Sequence, residues 1–168
     1  MMVRALLLLS LLVTGATRAQ DTIAPNHRTL LIETGLLVGG RMEIAREVGA
    51  PMSLVELGVA KAAYGGMHMM SMSTWASTEF GMRGDTPILA PKIGAQLSML
   101  FSFGVELVYY TDLDQGTLHL VPSIGFAGYP LRIALEPHVR LVNTDFRPVE
   151  GGCVSIVYRL CTLRRRER

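Results

Sequence analysis

Ten residues whose types could do chemistry recur at alternate positions of otherwise apolar stretches: Glu33, Glu56, Glu79, Lys92, Glu106, Arg132, Glu136, His138, Arg140 and Arg159. The segment "PLRIALEPHVRLV" shows the spacing best. Arg132, Glu136, His138 and Arg140 take even positions, while Leu131, Ile133, Leu135, Val139 and Leu141 take odd ones. Side chains on a strand alternate faces, so the charges share one face and the apolar groups the other. Acids and bases gathered on one enclosed face must pair and hydrogen-bond, because an isolated buried charge is too costly. The expected product is a fixed ionic network that fills an interior. A proton or ion path would need that interior open.

Other pairs offer sharper chemistry on thinner support. His119 and His138 face one another if Gly128 and Tyr129 form a two-residue turn, and two imidazoles suit a metal or a pH switch. No third ligand accompanies them. His68 and Ser71, in "HMMS", suggest a hydrolase pair, but a separation of three residues puts them on opposite faces of a strand. Asp112, Asp114 and the "GDT" of Gly84, Asp85 and Thr86 suit either weak calcium contact or ordinary turn formation. Cys153 and Cys161 lie on one extended segment, roughly 26 Å apart at the rise of a strand, beyond disulfide reach, so two free thiols are expected. These residues lead to no catalytic, cofactor or metal site.

The elements that must position these groups are strands. Period-2 alternation runs through "LLIETGLLVGGRMEIA", where Ile32, Leu36, Val38, Met42 and Ile44 oppose Glu33, Gly35, Gly39, Arg41 and Glu43. It recurs in "SLVELGVAKAAY", "MHMMSMSTWASTEFGM", "APKIGAQLSMLF", "FGVELVYYTD", "TLHLVPSIGFA", the segment from Pro130 to Val142, and "CVSIVYRL". That makes eight strands. The links read as alternately long and short: "REVGAP" long, "GG" (Gly65, Gly66) tight, "GMRGDTPIL" long, a tight turn near Leu100 to Ser102, "DLDQG" medium, "GYP" tight and "NTDFRPVEGG" long. Tyr64, Phe101, Phe103, Phe126 and Tyr129 fall by the short turns, and Phe80, Tyr109, Tyr110 and Phe146 toward the long ones. Pro122 and Pro137 interrupt two strands, which a sheet without edges tolerates only at bulges or unpaired positions.

The ends bound the class. Arg4, the apolar run "ALLLLSLLV" and the small residues before Gln20 read as a cleaved export signal over residues 1–19. Residues 20–161 then form one domain, and residues 162–168, with "RRRER", a basic solvated tail. Removing Arg4 and Arg18 takes the basic count from 16 to 14, equal to the 14 acidic residues. Such neutrality argues against a nucleic-acid partner.

The polar faces are rich in Gly, Ala and Ser broken by single charges, which suits the crowded inside of a narrow barrel rather than a wetted outside. Continuous Leu, Ile, Val and Met faces suit lipid, where only helices and closed barrels satisfy the backbone. The expected fold is therefore all-β: an eight-stranded antiparallel up-and-down transmembrane barrel. The texture "PKIG…GVELVYYTD…PSIGFAGYPLRIALE", from Pro91 to Glu136, resembles small outer-membrane β-barrel proteins of Gram-negative bacteria. That resemblance implies a place in the cell outer membrane, lipid as the surrounding partner, and a non-enzymatic envelope role. Surface ligands or envelope partners would be met through external loops. A lipid-modifying barrel enzyme and a soluble periplasmic barrel binding a hydrophobic ligand remain alternatives, the latter with every face inverted.

Overall fold

The computed structural model describes residues 30–44, 51–65, 70–128 and 130–167. The export signal and His68 lie outside them. The alternating stretches become nine antiparallel strands: β1 Leu31–Glu43, β2 Ser53–Tyr64, β3 Ser71–Arg83, β4 Thr86–Ser98, β5 Ser102–Thr111, β6 Gly116–Gly128, β7 Leu131–Pro137, β8 Val139–Val142 and β9 Gly152–Glu167. Sequential neighbours pair, β6 receives both β7 and β8, and β9 joins β7 to β1, so the hydrogen bonding runs round a ring. Nine strands replace the expected eight because Pro137 and His138 split one of them.

That break also settles the proline puzzle. The β6 register runs Ile124↔Leu135 below the break and Leu120↔Val139 above it, which brings Pro122 level with Pro137. Two residues without an N–H face each other, so their missing donors cost one rung instead of two.

The ring is staggered. From Leu31 the partners lead through Tyr64, Ser71, Ser98, Ser102, Gly125, Ala134 and Ser155 to Arg41, ten positions further along β1. With about eight strands round the circumference, such a shift tilts them by about 40°.

The links depart from the expected alternation. Gly84, at φ +60°, and Asp85 make a tight hairpin in which Arg83 faces Thr86, where a long link was expected. The supposed tight turn at Gly65 and Gly66 instead lies within a link of residues 65–70, since Tyr64 faces Ser71. The expected tail is strand: β9 stays paired to β1 as far as Glu167 through two register shifts, with the arginine side chains exposed. Both cysteines lie on β9 as free thiols, Cys153 buried and Cys161 exposed.

Burial follows the alternation. Glu56, Glu79, Lys92, Glu106, Arg132, Glu136 and Arg159 point into the ring, and Leu57, Phe80, Ile93, Leu107, Ile133 and Ile156 point out of it. Tyr110 and Phe146 turn inward, unlike the exposed Phe80, Phe101, Phe103, Tyr109 and Phe126. Trp75 also points inward, and only a glycine fits opposite it: a Cβ on Gly94 would stand 2.5 Å from the indole.

Candidate functional site

The interior at mid-height is one ionic cluster. Arg41, from β1, donates through Nη1 to Glu79 Oε2 at 3.2 Å and to the Tyr110 hydroxyl at 3.1 Å. Its Nη2 donates to Glu106, and its Nε lies 2.6 Å from Glu136 Oε2. Lys92 Nζ reaches Glu56 at 2.9 Å, Glu79 at 2.6 Å and Glu106 at 3.4 Å. Arg132 donates to Glu106 at 2.8 Å and also pairs with Glu136. Ser77 donates to Glu56 at 2.7 Å and Ser155 to Glu136 at 2.6 Å.

Four carboxylates thus meet three cations, with hydroxyl donors filling acceptor sites that the cations leave. The β1 stagger is what lifts Arg41 to the height of Glu79, Glu106 and Glu136. Buried ions survive only when paired in this mutual way, and removing one member strands the rest.

The remaining charges of the expected set divide. Glu33 accepts from Arg159 at 3.3 Å near the chain-terminal mouth, apart from the cluster. Arg140 is half-buried and donates to the Glu150 carbonyl at 3.3 Å instead of meeting an acid. His138 joins no carboxylate; its Nδ1 lies 3.2 Å from Nδ1 of His119. Their expected register is off by two residues, because His119 is level with Arg140, so the imidazoles meet diagonally. Tyr110 packs against both rings, at 5.0 and 5.8 Å. Among the described residues no group of three or more His, Cys, Asp or Glu side chains is placed to hold a metal.

Above the cluster lies an apolar cap of Met52, Leu54, Ile88, Val108, Tyr110, Val121, Phe146, Val149 and Cys153. Glu43 ties it down by accepting from the Met52 amide at 3.2 Å and the Glu150 amide at 2.8 Å, so one carboxylate holds both long links. Below the cluster a cavity of about 80 Å³ is lined by Ala60, Ala62, Ser73, Trp75, Gln96 and Arg132. That is room enough for several waters. Arg132 lies over the Trp75 ring at 4.7 Å. The interior is thus filled at two levels, by the cluster and by the cap.

Sequence reasoning kept Arg41 and Glu43 on the polar face but left both out of the site. No count of charges singles them out, because the expected set already held five acids against four cations and a histidine; only the height that the stagger gives Arg41 shows that it joins the cluster. Asp112 is a turn former in the structure. Its carboxylate accepts from the amides of Gln115 at 2.9 Å and Asp114 at 3.1 Å, which holds it below the usual carboxylate range.

No protein-family model, no curated protein and no solved structure matches this chain.

Proposed function

We propose that the chain is a small outer-membrane β-barrel with a sealed interior, serving a structural or surface-interaction role without catalysis. The observation that carries this reading is the inversion of its faces. Ile93 and Phe103 are each 59 % exposed on the outside, while Lys92 is 3 % and Glu106 1 % exposed within. Water-soluble proteins keep contiguous apolar patches to a few hundred Å², whereas a lipid-facing wall needs them all round. A soluble barrel for a hydrophobic ligand would require the opposite arrangement. No helix among the described residues is long and apolar enough to cross a membrane, so any crossing falls to the strands.

The sealed interior supports a non-conducting role, because charge cluster and apolar cap lie in series along the only axis a pore would use. The links of residues 44–52, 84–85, 112–115 and 143–151 share the end opposite the chain termini, and on this reading they face the cell exterior. The test is electrophoresis of washed outer membranes, unheated against boiled. A membrane-bound chain that changes mobility on boiling supports the reading. A chain found in the soluble periplasmic extract, migrating alike both ways, overturns it.

A further inference from the structure

The outer wall changes character abruptly on three neighbouring strands near the chain-terminal end. One rung across β2, β1 and β9 is apolar but for a thiol: Val59, Leu36 and Cys161. The next outward rung is Lys61, Thr34 and Arg164, and the one beyond it Ala63, Ile32 and Arg166. Residues level with one another share a face, and strands lie about 4.8 Å apart, so the three cations stand within roughly 12 Å. Arg165, on the other face, takes the nearby acids, with Glu33 and Glu167 each at 3.9 Å. Lys61, Arg164 and Arg166 are exposed, and no described acid pairs with them.

A second observation places this corner relative to lipid. The last rung between β9 and β7 is Tyr158 with Leu131, followed by one bond from the Arg159 amide to the Pro130 carbonyl at 2.9 Å. Beyond it β9 is paired only toward β1, and no described strand covers its other edge. Unpaired strand edges are not tolerated in hydrocarbon, so the stretch carrying Arg164 and Arg166 lies outside the acyl region. The basic rungs then stand where lipid phosphates are.

We propose that Lys61, Arg164 and Arg166 form a docking corner for the phosphate headgroup of an anionic lipid in the leaflet at the chain-terminal end. The proposal rests on the membrane reading above. Each cation beside such a headgroup is worth about a five-fold rise in affinity. The full chain is folded into phosphatidylcholine vesicles doped with phosphatidylglycerol, extracted in mild detergent, and its co-purified lipid measured by mass spectrometry.

Wild type is expected to retain phosphatidylglycerol roughly ten-fold or more above the bulk ratio. K61Q/R164Q/R166Q should return to the bulk ratio while still shifting on boiling, and K61R/R164K/R166K should keep the excess. If the glutamine variant does not fold, salt decides: screening at about 1 M should abolish the wild-type excess. A wild-type chain that enters the vesicles without enrichment, or an excess that survives the glutamine variant or the salt, overturns the corner alone. A chain that never enters phosphatidylcholine vesicles overturns the membrane reading, and the corner with it.

Discussion

The ionic cluster and the apolar cap fill the same interior at two heights by opposite means. In the cluster every group depends on several strands at once: Arg41 alone links β1 to Glu79 on β3, Glu106 on β5 and Glu136 on β7. Its desolvation cost offsets much of its attraction, so what it contributes is a unique register more than net stability. The cap depends on volume. Phe146 and Val149 come from a link and gain from leaving water wherever they fit. The lower level therefore tolerates no single loss, and the upper one tolerates any change that keeps its volume.

Breaking the cluster should give the largest effect. Arg41→Met leaves four buried carboxylates to two cations and is expected to cost about 3–5 kcal/mol, seen as a lowered urea midpoint for the chain folded in vesicles. Adding Glu79→Gln and Glu106→Gln should recover part of that loss. A triple variant with no recovery would show that the guanidinium acts through packing alone. In the cap, Phe146→Ala is expected to cost about 3 kcal/mol and Phe146→Leu less than ~1.5 kcal/mol on the same urea scale. Equal losses would erase the contrast between the two levels.

At the proline rung the effect shrinks. Pro122→Val alone supplies one donor to the Pro137 carbonyl, whereas P122V/P137V supplies both bonds of the rung, a difference of about 1 kcal/mol. Hydrogen exchange at the new valine amides would reveal it, with protection expected at position 122 in the single variant and at both positions in the double one. Smallest of all is Asp112, which lies in neither filled level. Its folded-state pKa is lowered, so its contribution exists above the unfolded value and is lost as pH falls through the folded one. A carbon-13 carboxyl titration should find its midpoint below the ordinary ~3.9, and Asp112→Asn should leave the boiling shift intact.

Up to the end of β9, the face of each strand residue was legible in the sequence, because it depends only on parity along a strand. Leu131, Ile133 and Leu135 alternate with Arg132 and Glu136 in the structure as they do in the text. Height was not legible. Which charges meet depends on the stagger of the closed ring, a property of all the ladders together, and so Arg41 joins the cluster while Arg140 does not. Local chemistry hid other features. The run of arginines in β9 looks like a solvated end, and two register shifts mask its alternation. Gly84 allows a tight hairpin inside what composition reads as a long loop. The two prolines looked like separate faults until the register placed them level.

One ladder carries a consequence for how the molecule comes into being. β1 and β9 pair residues from opposite ends of the chain, Leu31 with Glu167 among them. Every other ladder joins strands that are consecutive or nearly so, and can form as soon as its second strand exists. Closure therefore waits until β9 has been made, and until then the strands can form only an open sheet with one greasy and one charged face. Such a sheet is exposed to aggregation for as long as it stays open, because its final contact is also the most distant in sequence.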